Sequence, residues 1–227
     1  MATRAVLAEL TALFEQRSGC TAAVESVGGV DAFKRVQGGE AFDFVVLASD
    51  AIDRLVAAGA VAADSKVDLV CSGVAVAVRA GAPQPQIDSE DALKNAVLAA
   101  RSVGYSTGPS GVALVRLFER WGIAGQVAGR VVEAKPGIPV GSLVARGEVE
   151  LGFQQLSEMI HLEGIVVLGP MPDAVQIVTT FSGGVCAGSS DAPAARSLLG
   201  FIAGAEFDAV KRRHGMAPAR ANEEHGR

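Results

Sequence analysis

The chain has 227 residues, 49% of them hydrophobic, with 27 Gly, 9 Pro and a formal net charge of −5. That apolar content excludes a disordered chain and suffices for one core or two smaller ones, while the lack of a short period excludes a collagen-like or low-complexity polymer. The acidic balance argues against a nucleic-acid surface, and no stretch of about 18 residues is apolar enough to insert directly into a membrane.

In chain order, the opening MATRAVLAEL lacks the basic, apolar and cleavage regions of a signal peptide. It reads instead as the start of an amphipathic helix over residues 3–17, with Val6, Leu7, Leu10, Leu13 and Phe14 at helical spacing and Gly19 as its stop. TAAVESVG, 21–28, is a strand candidate, and Asp31 is placed to cap a helix through Val36 that ends at Gly38 and Gly39. FDFVVLA, 42–48, has the continuous apolar character of a buried strand, after which Ser49 or Asp50 is expected to cap a helix carrying Ile52, Leu55 and Val56.

Residues 66–81 read as extended chain, and Asp88 or Ser89 opens a further helix. SVGYSTG is a short strand running into a glycine turn, with an amphipathic helix beginning at Gly111. Val131–Ala134 is a strand, PVGSLVARGEV a short helix with Pro139 near its first position, and ELGFQQL a strand followed by a loop. Two more strands are expected at 165–168 and 175–181, a helix or helix pair over 192–214, and a flexible tail over 221–227. The alternation of strands and helices predicts an α/β architecture with parallel pairing.

The three cysteines, Cys20, Cys71 and Cys186, match no compact metal-ligand spacing and are expected to be buried free thiols. The basic run Lys211, Arg212, Arg213, His214 with Arg220 reads as a helix C-terminus facing solvent. No cofactor-binding or metal-binding residue is expected. There is no Walker loop, no clustered His/Asp/Glu set and no nucleophile elbow, so no catalytic residue is assigned.

RAVLAELTALFEQRSG, GGVDAFKRVQGGEAFDFVVLAS, SVGYSTGPSG and VGSLVARGEVELGFQQLSE, in this order, resemble the type 2 periplasmic solute-binding proteins, and within them the molybdate-binding, ModA-like branch of ABC-transporter substrate-binding proteins. The resemblance extends to about residue 217. It implies a bilobal α/β fold with two mixed sheets flanked by helices. Lobe 1 is expected over 1–74 and 182–220, discontinuous in sequence, and lobe 2 over 75–181, with a small anion held between the lobes. It also implies an ABC permease as partner and a periplasmic setting. The family carries a secretion signal and a first strand ahead of the helix at 3–17. Neither is seen here, so lobe 1 is expected to lack that strand, an upstream extension or another chain is a candidate to supply it, and the missing signal is read as a mature form, a cytoplasmic relative or a shortened start.

The ligand-facing loops that the resemblance implies contain Thr3, Arg4, Ser49, Ser106, Thr107, Ser110, Pro139, Gln154 and Gln155. Their chemistry suits an anion. Hydroxyls and backbone N–H groups at a helix start can grip an oxyanion or carboxylate, and Arg4 can pair with a carboxylate at two points. Ser49, Thr107 and Ser110 have an alternative reading as ordinary helix caps, Arg4 as a surface residue, and adjacent Gln154 and Gln155 face opposite sides of an extended chain. Two functions follow: binding of molybdate or an organic carboxylate for transport, or isomerisation of a small di- or tricarboxylic acid such as aconitate in the same cleft. The second requires a proton carrier, for which Glu158, Tyr105 and His161 are candidates, Glu158 otherwise being a solvent-exposed carboxylate.

Overall fold

The computed structural model describes residues 2–219. The elements in chain order are α1 (Arg4–Ser18), α2 (Gly29–Gln37), β1 (Phe44–Ala48), α3 (Ser49–Ala57), β2 (Val67–Arg79), α4 (Glu90–Ala99), β3 (Val103–Ser106), α5 (Pro109–Arg120) and α6 (Ala124–Val127). They continue with β4 (Val131–Ala134), α7 (Val140–Ala145), β5 (Leu151–Gln155), α8 (Leu156–Met159), β6 (Ile165–Pro170), β7 (Val178–Val185), α9 (Ala192–Ala203), α10 (Asp208–Arg213) and β8 (Ala217–Pro218). The chain divides into two compact units, one of residues 2–72 with 179–219 and the other Gly73–Val178. The tail expected over 221–227 lies outside the described residues.

In the first unit, β1 pairs antiparallel with β7 from Phe44↔Val185 to Ala48↔Phe181, β7 neighbours β2, and β2 pairs with β8 at Val70↔Pro218 and Cys71↔Ala217. The spacing read in α1 turns Val6, Leu7, Leu10 and Phe14 inward, where they pack with Leu69, Val185, Leu198, Leu199 and Ile202. Gly19 ends α1 in the left-handed conformation at φ 73°. A second cluster joins Val45 and Leu47 of β1 to Ile52 and Leu55 of α3.

The strand expected at 21–28 does not form. Residues 19–28 are in neither helix nor strand, and Val24 is exposed. An isolated extended segment gains no ladder hydrogen bonds, and β1 pairs only with β7 among the described residues. Side chains hold the segment instead: Glu15 accepts from the Ala22 amide at 2.7 Å, and Arg35 grips Glu25 through two bonds of 2.7 and 3.0 Å. Asp31 does not cap α2 either. Gly28 takes the cap position, and Asp31 lies in the first turn, where its charge complements the helix end.

Of the basic run, Arg212 and Arg213 are exposed at the end of α10 as expected, Arg220 lies outside the described residues, and Lys211 differs. Lys211 is 0% exposed, and its ammonium donates to the carbonyls of Ala203 and Gly204 at 3.2 and 3.3 Å. It therefore satisfies chain-end carbonyls after α9 rather than facing water. Of the thiols, Cys71 and Cys186 are buried as expected, whereas Cys20 is exposed.

In the second unit the strands run β4–β3–β5–β2–β6. The expected parallel pairing is present in β3 with β4 and β3 with β5, while β2 is antiparallel to both β5 and β6. The core on this sheet contains Val76, Leu93, Val97, Leu114, Phe118 and Phe153. α7 packs close to β3 and β5 because two strand positions lack side chains. A Cβ on Gly104 would meet Val140 at 3.1 Å, and one on Gly152 would meet Val144 at 2.5 Å. That approach sets the start of α7 beside the sheet.

Candidate functional site

Parallel strands bring their carboxyl ends to one edge of a sheet, and open α/β sheets bind ligands there. β4, β3 and β5 end at Ala134, Ser106 and Gln155, so the segments after them, 107–108, 135–139 and α8, leave the same end of the second unit. Ser106, Thr107, Ser110, Pro139, Gln154 and Gln155 all belong to this end. Thr3, Arg4 and Ser49 belong to the first unit.

The turn after β3 is compact. α5 begins at Pro109, two residues earlier than the pattern indicates, because proline is preorganised for the first helical turn. Gly108 takes the cap position and makes no side-chain cap, so neither Thr107 nor Ser110 serves as the cap that was the alternative reading. Ser110 is 6% exposed, Ser106 is half-buried and Thr107 exposed, and the Ser106 and Ser110 hydroxyls lie 3.3 Å apart. Paired hydroxyls at the start of a 12-residue helix lie where the helix dipole favours negative charge. Burial, then the neighbouring Glu133 charge, pushes the Tyr105 hydroxyl above its ordinary value, keeping it a neutral donor.

Pro139 takes the cap position of α7 rather than its first helical position, and makes no side-chain cap. One N–H group of this helix start is met from β5. The Gln154 carbonyl oxygen accepts from the Gly141 amide at 3.2 Å. Its amide nitrogen donates to Glu158 Oε2 at 2.6 Å. Gln154 and Gln155 are both buried, at 4% and 5% exposure. α8 stands where a loop was expected after β5, and it carries Glu158 back over Gln154. Glu158 is accordingly half-buried rather than solvent-exposed, and burial raises its carboxyl above the usual carboxylate range. Nothing in the local sequence marks a charged residue for burial; the spacing Gln154 to Glu158 across a strand-to-helix turn is the one available signal.

In the first unit, Ser49 is the first residue of α3, with Ala48 at the cap position and no side-chain cap. Ser49 therefore does not cap α3. Thr3 takes the cap position of α1 without a side-chain cap hydrogen bond and is buried, while Arg4 is exposed. Arg79 is exposed at the end of β2, opposite in direction to buried Val78. His161 is exposed. Among the described residues no group of three His, Cys, Asp or Glu side chains is arranged to hold a metal ion, and no helix is long and apolar enough to cross a membrane.

Residues 1–217 match the family model described as bacterial extracellular solute-binding protein. An aconitate isomerase from Pseudomonas sp. is 42% identical over 190 residues, spanning 82% of this chain and 71% of that protein. Among solved structures, the periplasmic molybdate-binding protein of Azotobacter vinelandii superposes with a TM-score of 0.77 at 18% identity, over 95% of each chain. A periplasmic binding protein from A. tumefaciens in complex with agropinic acid superposes at 0.67, with 14% identity, over 96% of this chain and 80% of that one. At these identities the two structures speak for the fold, which is the type 2 periplasmic-binding-protein fold with ModA-like relatives.

Proposed function

Because the chain belongs to the bacterial extracellular solute-binding protein family, we propose that its solute is a small organic polycarboxylate, held at the carboxyl ends of β3, β4 and β5. The observation that carries this reading is the donor set at one sheet end. Ser106 and Ser110 sit at the start of α5, and Gln154 is tied to the start of α7. Hydroxyl, amide and helix-end donors bind carboxylate oxygens without requiring a cation for each ligand charge. Thr107, Pro139 and Gln155 line the same strand ends, and in the first unit Thr3, Arg4 and Ser49 are the ligand contacts that the resemblance supplies. A carboxylate is preferred to molybdate because the aconitate isomerase is 42% identical, whereas the molybdate-binding protein shares 18%.

As a solute-binding protein of this family the chain would deliver its ligand to an ABC permease. A second reading, favoured by the 42% identity to an aconitate isomerase, is that the same site interconverts isomers of a small tricarboxylate. A strand from another chain, added to the edge of β1 that β7 does not occupy, is a further partner of this proposal.

Native mass spectrometry of the purified protein, followed by calorimetry with molybdate, tungstate, sulfate, citrate, cis-aconitate and trans-aconitate, tests the reading. A retained or titrated tricarboxylate is the expected result. Binding of molybdate or tungstate with no tricarboxylate binding contradicts the choice of ligand. Conversion of one aconitate isomer into the other assigns the second reading.

A further inference from the structure

We propose that Glu158 is the proton-carrying catalytic residue of this site, and that Gln154 is its positioning residue; this rests on the isomerase reading above. Interconverting the two geometries of an alkene polycarboxylate requires the double bond to be lost for a moment. A base can remove a proton from the methylene carbon beside it. The C–H electron pair then becomes the new double bond, the old π pair spreads into the adjoining carboxylate, and the carboxyl, its proton open to exchange with water, returns a proton to the other end of the three-carbon unit. Atoms and electrons balance with no oxidant, reductant or cofactor, and one carboxyl group serves as base and then acid.

Glu158 has the features this step needs. α8 begins at the carboxyl end of β5, so Glu158 leaves the same sheet end as Ser106 and Ser110. It is half-buried, and it accepts a hydrogen bond from the Gln154 side-chain amide at 2.6 Å. The amide holds the carboxyl in place. The amide cannot turn over without cost. Its oxygen already accepts from the Gly141 N–H at 3.2 Å, so its nitrogen must face Glu158 at 2.6 Å. Burial, the largest influence on it, raises the proton affinity of the carboxyl above the usual carboxylate range. The competing candidates fit less well. Tyr105 is pushed above a phenol's ordinary value of 10.0 by burial, so it holds its proton, and His161 is exposed.

The test is proton NMR of full-chain protein with cis-aconitate or trans-aconitate in D2O. It follows both isomerisation and deuterium entry at the methylene, with calorimetry on the same samples. Wild type is expected to do both. Glu158→Gln, which keeps the shape and can still accept from Gln154, is expected to lose at least about 100-fold in both rates, with affinity within about threefold. Glu158→Asp keeps the carboxyl but withdraws it by one methylene, and is expected to slow exchange about tenfold. Gln154→Met combined with Glu158→Gln is expected to be no slower than Glu158→Gln alone, since a positioning residue has nothing left to position. A wild type that turns over while Glu158→Gln stays within about threefold overturns the proposal and leaves the isomerase reading standing. So does a Glu158→Asp protein as fast as wild type, which keeps the test decisive if Glu158→Gln fails to fold. A wild type that binds aconitate without isomerisation or deuterium entry overturns the isomerase reading, and the proposal with it.

Discussion

Gly111 lies directly against the backbone of Ser106: a Cβ on Gly111 would come within 1.7 Å of the Ser106 carbonyl oxygen and 2.9 Å of the Tyr105 ring. The last residue of β3 and the first turn of α5 are thus in backbone contact, and this contact places the Ser106 and Ser110 hydroxyls 3.3 Å apart. Gly111→Ala has no room to relax within a backbone contact. It is expected to cost at least about 2 kcal/mol and to weaken tricarboxylate binding, measured by denaturant unfolding and calorimetry.

Lys211 is buried with its ammonium on the Ala203 and Gly204 carbonyls. Lys211→Ala opens a cavity and takes the donor from both carbonyls. The expected loss is about 2–4 kcal/mol, seen in a thermal melt as a fall of about 5–15 °C for a chain of this size. Ligand affinity measured well below the melt should hold.

Asp43 Oδ1 gathers four donors before α9: the Ser189 hydroxyl at 2.9 Å, the Ser190 amide and hydroxyl at 2.9 and 3.1 Å, and the Asp191 amide at 3.2 Å. The Ser189 hydroxyl first, then the Asp191 amide, hold its carboxyl below its ordinary value of 3.8. A depressed folded-state value means the stabilisation is present above the ordinary value and disappears as pH falls through the folded one. Asp43→Asn is expected to cost about 1 kcal/mol near neutrality, since the group is largely in water. The gap from wild type should close as pH falls below 3.8, followed by urea unfolding at stepped pH.

The three thiols divide by access. Cys186 is pushed up to about 11 by burial and then by the Asp43 charge, and Cys71 is raised chiefly by burial. A thiol-disulfide reagent at neutral pH is expected to modify Cys20 alone in the native protein, with Cys71 and Cys186 reacting on unfolding. Prompt reaction at Cys71 in the folded protein contradicts the described packing.

Periodicity made most of the elements legible, because α1, α4 and β2 bury the faces that their apolar spacing marks. Where prediction failed, the deciding term lies elsewhere in the chain. Residues 21–28 have strand composition, yet a strand needs a neighbour, and the segment is held by Glu15 and Arg35 instead. Lys211 and Glu158 look like solvated charges in sequence, and only the return of α10 and α8 onto their neighbours buries them. The strand-to-helix turn from Tyr105 to Gly111 was readable as a donor-rich helix start. That its hydroxyls are not used as caps was not, because Gly108 fills that position without contributing a side chain.

The central claim is that this donor set binds a small polycarboxylate. Calorimetric titration of wild type, Ser106→Ala and Gln154→Ala with cis-aconitate and trans-aconitate tests it most directly. Wild type is expected to bind at least one isomer. Ser106→Ala should weaken binding about tenfold through one lost hydrogen bond, roughly 1.4 kcal/mol. Gln154→Ala should weaken it by at least as much, because it also unties Glu158 and the Gly141 amide, with both variants folded. Equal affinity in all three proteins, or no binding of either isomer by wild type, contradicts the account.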